Sequence, residues 1–262
     1  MSQAVTTLVS ISHHAGVHTI TLDNPAARNA LSGAMMLALQ AAFESAGADP
    51  QVRVIVLAAN GPAFCAGHDL KEMRANPDPS FQTTLMAGCV ALMLAIVRCP
   101  KPVIARVHAT ATAAGCQLVA SCDLAVAVHD AKFATPGVNL GLFCSTPMVA
   151  LSRNLSNKHA MEMLLCGEMI DADTAWRMGL VNRVVAADQL DVAVDELARR
   201  IASKSSRTLA IGKEAFYAQR EMPLEEAYRY AAGVMVSNLQ TEDAREGISA
   251  FIDKRAPCWV DR

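Results

Sequence analysis

The chain of 262 residues is poor in charge and in aromatic rings, with 18% charged residues and 5% Phe, Trp and Tyr. Its 23 Lys and Arg stand against 25 Asp and Glu, so the formal net charge is −2. The basic excess of a general nucleic-acid binder is missing. No uninterrupted apolar run approaches the ~18 residues that a membrane span needs. The N-terminal MSQAVTTLVSISHH has neither a basic stretch nor a long apolar one, so no secretory signal is expected. The eight cysteines form no CxxC pair, and most lie in apolar stretches. In a chain of this length they read as small buried hydrophobes of a reducing compartment, not as a disulfide frame. Neither they nor the histidines show the ligand spacing of a zinc site. The expectation is a cytoplasmic protein with no nucleic-acid partner, no membrane span and no metal. Also missing are a P-loop, a GxGxxG after a strand, a GxSxG elbow and an HExxH pair, which leaves phosphate-loop, dinucleotide, hydrolase-triad and zincin chemistry without support.

What the chain does have is apolar mass, 52% of its residues, enough for a sizeable core. Thr7–Ser12 and Val17–Leu22 are β-branched and flank HHAG, which predicts a hairpin. Ser32 precedes a helical pattern to about Gly47 and reads as its N-cap. Val52–Ala58, Pro102–Val107 and Leu124–Val128 are short continuous apolar runs of the kind buried in parallel sheets. Helical segments over 79–98 and 113–120 alternate with them, which implies parallel strands joined by crossovers. From Thr146 the pattern turns helical, over 146–166, 171–178, 187–203, 205–219, 223–238 and 241–255, with Val181–Val185 the one strand-like stretch. The division is an α/β core over 1–190 and a helical region over 191–262.

Two segments place small residues at a strand end and lead into a helix. One is Pro62–Met73 (PAFCAGHDLKEM); the other is Val107–Leu118 (VHATATAAGCQL), which runs on to Asp123. Unpaired backbone N–H groups at such helix starts can converge on an oxygen that gains negative charge. Either loop alone also reads as a packing solution.

Together, AFCAGHDLKEM and ATAAGCQLVASCDLAVA resemble the crotonase (enoyl-CoA hydratase/isomerase) superfamily. NPAARNALS, FATPGVNLGL, AMEMLLCGEMIDADTAWRMGLVNRVV and REGISAFIDKR extend the likeness over about residues 7–256. Within the superfamily the chain is most similar to the enoyl-CoA hydratase domain-containing group. The resemblance implies an α/β spiral of ββα units with a helical C-terminal trimerisation region. It implies a lyase or isomerase of acyl-CoA thioesters, with coenzyme A entering as part of the substrate and no separate cofactor, in a homotrimer or a dimer of trimers. The thioester oxygen would accept the backbone N–H groups of His68 and Ala114. Ala66, Asp69, Leu70 and Lys71 would meet the adenine and pantetheine, Arg28 the phosphates, and Phe251 and Lys254 a neighbouring subunit's coenzyme A. Asp69 also reads as an N-cap, and the two lysines as solvated surface residues.

The family's hydratases use two glutamates, one to activate water and one to protonate Cα. Here those positions hold Gln117 and Gly137, and the position where relatives carry Asp holds Ser145. Gln117 can orient a water but cannot take its proton. His68, His108, Cys116 and Cys144 are the other groups in or near the loops. Ordinary hydration is therefore not expected. The alternative is a protein that binds acyl-CoA without hydrating it. Restoring both glutamates is expected to restore hydration, unless Gly137 has a positive φ that a side chain would strain.

Overall fold

The computed structural model describes residues 7–262. A hairpin opens it: β1 (Val9–His14) pairs antiparallel with β2 (Val17–Leu22) through Ala15 and Gly16. Both loop residues have positive φ, 48° and 81°, the backbone twist that two-residue hairpins require. α1 (Gly33–Ala48) follows, and the Ser32 hydroxyl accepts the Met35 N–H as its cap. The elements after it are β3 (Val54–Ala59), β4 (Ala63–Cys65), α2 (Leu70–Ala75), α3 (Pro79–Arg98), β5 (Val103–Val107), β6 (Thr110–Thr112), α4 (Ala114–Ser121), β7 (Leu124–Val128) and β8 (Lys132–Ala134). Then come α5 (Ser145–Asn154), α6 (Asn157–Cys166), β9 (Ile170–Asp171), α7 (Ala172–Met178), β10 (Arg183–Val185), α8 (Leu190–Ala202), α9 (Ser206–Gln219), α10 (Leu224–Leu239) and α11 (Glu242–Ile252).

The strands sort into two sheets. One has six strands in the order β1-β2-β3-β5-β7-β10, parallel from β2 onward. The other has four short strands, β4-β6-β8-β9. Successive pairs, β3 with β4, β5 with β6 and β7 with β8, each place one strand in each sheet before a helix returns the chain. This is the ββα spiral that the family resemblance implies. The second sheet is the feature that the sequence patterns miss. Its strands are only two or three residues long, too short for any hydrophobic period to show.

The core lies between the large sheet and α1, α3 and α4, where Ile20, Leu22, Phe43, Ile55, Leu57, Leu92 and Ile104 lose all or nearly all solvent contact. α3 is long and apolar enough by composition to cross a membrane. Yet Leu85, Cys89, Leu92, Met93 and Ile96, at helical spacing, turn one face into this core. α8 also packs on the large sheet, through Leu190, Val194 and Ala198. α9 and α10 bury no residue fully.

Two acids, half-buried Asp123 and buried Asp243, fasten the helical region. The Asp123 carboxylate accepts Val103 N–H (2.7 Å), Lys213 Nζ (2.6 Å) and Tyr217 Oη–H (2.9 Å). Lys213 completes its donor set on the carbonyls of Ile96 and Lys101, each 3.1 Å away. Asp243 is 1% exposed and accepts the Ser205 hydroxyl and the N–H groups of Val260 and Asp261. The first ties α9 to the sheet, and the second folds the C-terminal segment back over α11.

Candidate active site

The first loop leaves β4 through Ala66 and Gly67 and enters α2 at His68–Asp69. Asp69 is indeed the cap: its Oδ1 accepts the N–H groups of Lys71 (2.9 Å) and Glu72 (3.2 Å). The segment 28–31 stitches the loop in place. Ala66 N–H donates to Arg28 O, Leu31 N–H to Gly67 O, and Asp69 N–H to Leu31 O. Arg28, Ala66, Asp69, Leu70 and Lys71 are thus gathered at one rim. Arg28 and Lys71 are exposed and enter no ion pair among the described residues.

Asn29 organises this junction, and the sequence reading assigned it no role. It is fully buried with φ 54°. Its amide donates to the carbonyls of Asn60 (2.8 Å) and Ala63 (2.9 Å), while Oδ1 accepts Asn24 N–H (2.8 Å). Asn tolerates left-handed backbone and bonds locally, so NPAARN was the available signal.

The second loop leaves β6 and turns at Ala113, which holds φ 50° and ψ −120° at the start of α4. An alanine in that region stores strain of the kind found at functional sites. Its N–H is anchored on Ala134 O (2.9 Å). All eight residues of α4 are buried.

Two glycines let the loops touch. A Cβ on Gly115 would overlap the Cys65 carbonyl oxygen outright and stand 2.7 Å from its carbon. A Cβ on Gly67 (φ 92°) would meet the Ala113 Cβ at 2.8 Å and the Ala114 nitrogen at 3.4 Å. His68 N–H and Ala114 N–H therefore flank one contact, and neither donates to an acceptor among the described residues. Unpaired N–H groups at a helix start are donors to anionic oxygen.

Gln117, one turn into α4, is 5% exposed. Its Oε1 accepts the Cys89 thiol of α3 at a sulfur–oxygen distance of 3.8 Å. It borders a cavity of about 720 Å³ between α3, α4, α5 and α9. Gly137 lies buried in a tight 3-10 turn, Pro136–Leu140. Its φ is not positive, so the strain considered from sequence does not arise. Crowding takes its place: a Cβ there would stand 2.7 Å from Leu142 O and 2.8 Å from Cys144 Sγ. The segment that bonds back through Leu142 N–H to Gly137 O fills the room a side chain would need.

Burial biases the thiols and the His68 imidazole around this centre toward their neutral forms. Burial pushes the Cys89 thiol up to about 11 and that of Cys116 to about 12, and raises Cys144 as well. Burial lowers the His68 pKa despite the opposing pull of Leu31 O and Glu72, and both its ring nitrogens are enclosed without a partner. His108 Nε2 lies 2.8 Å from Gly61 O, which pins that ring to a neighbouring loop. Glu72 accepts Gly33 N–H at 3.0 Å. Phe251, 86% exposed, and Lys254 stand at the end of α11. No hydrogen bond or ion pair among the described residues joins them to the loop at 66–71.

Known proteins share this architecture and sequence. The enoyl-CoA hydratase/isomerase family model matches residues 12–262. The mitochondrial enoyl-CoA hydratase domain-containing protein 3 of Rattus norvegicus is 46% identical over 252 residues, covering 96% of this chain and 84% of that protein. A crystal structure of an enoyl-CoA hydratase from Mycobacterium smegmatis superposes with a TM-score of 0.94 at 54% identity, over 96% of this chain and 98% of that one. That of human enoyl-CoA hydratase domain-containing protein 3 gives 0.93 at 44% identity, over 96% and 100%. The chain belongs to the enoyl-CoA hydratase/isomerase family.

Proposed function

We propose that this chain is an acyl-CoA thioester enzyme that stabilises a thioester enolate between the backbone N–H groups of His68 and Ala114. The observation that carries the reading is the pair of unpaired N–H groups brought side by side where Gly67 and Gly115 let two loops meet. One such donor contributes ~2.7–4 kcal/mol in known oxyanion holes. The rim of Arg28, Ala66, Asp69, Leu70 and Lys71 is the nucleotide end, and its two unpaired cations suit the phosphates of coenzyme A. Butyryl-CoA is expected to bind at least tenfold more tightly than coenzyme A or butyrate in isothermal titration. Equal or absent binding of all three refutes the reading.

A second reading, an acyl-CoA-binding protein without hydratase activity, is favoured by Gln117, Gly137 and Ser145 at the positions where relatives carry acids. Crotonyl-CoA hydration at rates ordinary for the family overturns it and directs the search for a base to His68.

The same reading makes the working unit a homotrimer or a dimer of trimers. Leu224, Tyr228, Phe251 and Ile252 are each at least 70% exposed, an apolar display that isolated soluble chains avoid. Phe251→Asp is expected to lower the mass seen by light scattering while leaving the far-ultraviolet circular dichroism intact. An unchanged mass refutes its interface role.

A further inference from the structure

The cavity of about 720 Å³ between α3, α4, α5 and α9 is lined by neither His68 nor Ala114. Its size is that of a small-molecule site, and such sites pair apolar walls with a few placed polar groups. Met93, Leu94, Val97, Val149 and Ala150 supply the apolar walls. Most polar groups of the lining are already paired within the protein. The Ser121 hydroxyl donates to Met93 Sδ, and the Asn154 amide to the carbonyls of Ala120 and Ala150. Asp123 holds both Lys213 and Tyr217.

Two groups are left over, one at each end. At the buried end, Gln117 is 5% exposed and its Oε1 accepts the Cys89 thiol. Its Nε2 donates to no described residue, yet it is not sealed off as the ring nitrogens of His18 and His68 are, so its open side is the cavity. At the mouth, Arg98 is exposed in the last turn of α3 and enters no ion pair among the described residues. The charges beside it favour an anion. Arg153 is paired with Glu221 at 3.1 Å, and Lys213 with Asp123 at 2.6 Å. Arg98 and Arg220 then outweigh Glu214, the remaining acid of the lining. Gln117 is level with Cys89, and Arg98 lies nine residues further along α3, about 13.5 Å of helix. At ~1.5 Å per carbon–carbon bond, a zigzag chain of roughly ten carbons bridges the two ends.

We propose that this cavity is a second ligand site, which takes a medium-chain carboxylate bearing a hydroxyl or keto oxygen at its far end. The carboxylate meets Arg98 at the mouth, and the chain lies along Met93, Val97 and Val149. The far oxygen accepts the Gln117 Nε2–H. A neutral oxygen suits that end because no unpaired cation is there to offset a second buried carboxylate. With neither His68 nor Ala114 in the lining, the site fills whether or not a thioester occupies the two N–H donors. The inference does not depend on the acyl-CoA reading.

Isothermal titration of the full-length protein tests this with 10-hydroxydecanoate, decanoate and 1,10-decanediol, each below its micelle concentration. The hydroxy acid is expected to bind about tenfold more tightly than either of the others, roughly the ratio that one good polar contact supplies. Gln117→Leu is expected to erase the preference for the hydroxyl while decanoate still binds. Arg98→Glu is expected to erase the preference for the carboxylate over the diol. Ala150→Trp, which fills the cavity, is expected to lose all three ligands, with folding checked by thermal melting. Arg98→Glu changes an exposed residue, so it decides the matter even where Ala150→Trp melts early: unchanged selectivity there overturns the proposal. Absence of binding by all three ligands overturns it as well, as does a folded Ala150→Trp that binds like wild type. Equal binding of the hydroxy acid and decanoate overturns the role given to Gln117. Displacement of bound 10-hydroxydecanoate by butyryl-CoA overturns the separateness of the site.

Discussion

Gly115→Ala is the smallest change that tests how the two loops are held. The added methyl would overlap the Cys65 carbonyl oxygen, and its next neighbours, the Cys65 carbon at 2.7 Å and Cβ at 2.8 Å, are equally fixed. Cys65 belongs to β4, which pairs with β6, so neither side can yield by a rotamer change. Overpacking a core typically costs ~1–3 kcal/mol. A clash against backbone at both partners belongs at the upper end, about 3 kcal/mol, and at ~2–4 °C per kcal/mol for a chain of this size the melting temperature should fall by roughly 6–12 °C. The same substitution at Gly212, inside α9 with nothing within 4 Å, should instead stabilise by ~0.8–1 kcal/mol through helix propensity. Differential scanning calorimetry of the two variants gives the comparison in one experiment. Because relief of the clash pushes the loops apart, the residual folded Gly115→Ala should also lose butyryl-CoA affinity, whereas Gly212→Ala should not. A Gly115→Ala protein that melts with wild type and binds as tightly would refute the close approach itself.

Other outcomes follow from the same packing. Gly137→Glu places a Cβ 2.7 Å from Leu142 O and drives a carboxylate into buried surroundings, so Gln117→Glu with Gly137→Glu should melt well below Gln117→Glu alone. Crotonyl-CoA hydration by a stable double variant at rates ordinary for the family would contradict this. Lys213→Met strands the Asp123 carboxylate, since the Lys213 side chain is only 8% exposed. Removing one partner of a buried pair costs ~3–5 kcal/mol, to be read from urea unfolding, and a loss under ~1 kcal/mol would mean that water reaches the pair. Cys166 and Cys258 are exposed and the other six cysteines buried. Titration of the folded protein with Ellman's reagent should therefore report two fast thiols, and a third fast thiol would show that the centre opens readily.

Much of this protein was legible from its residues because local rules act over short spans. Ser32 and Asp69 cap their helices as their positions before apolar or helical runs imply. The runs ending at Ala58, Val107 and Val128 are buried parallel strands, since only a strand covered on both faces tolerates continuous apolar sequence. The two Gly/Ala loops and their family likeness also stood out, because glycine spacing is a backbone requirement that sequence records directly. Other features needed the folded chain. The helix expected over 146–166 breaks at Leu155–Ser156, where Ser156 caps α6, a local signal masked by helix-like residues on both sides. The four-stranded sheet has strands too short to carry a period and exists only because the spiral brings them together. Tertiary contact likewise decided that Gly137 is blocked by Leu142 and Cys144 and that the Gln117 amide is turned by Cys89. It decided too that Asp123, an unremarked acid in ASCDLAVA, meets Lys213 across 90 residues. Such facts depend on which atoms share a volume, and the order of residues along a chain does not state that until the chain has folded.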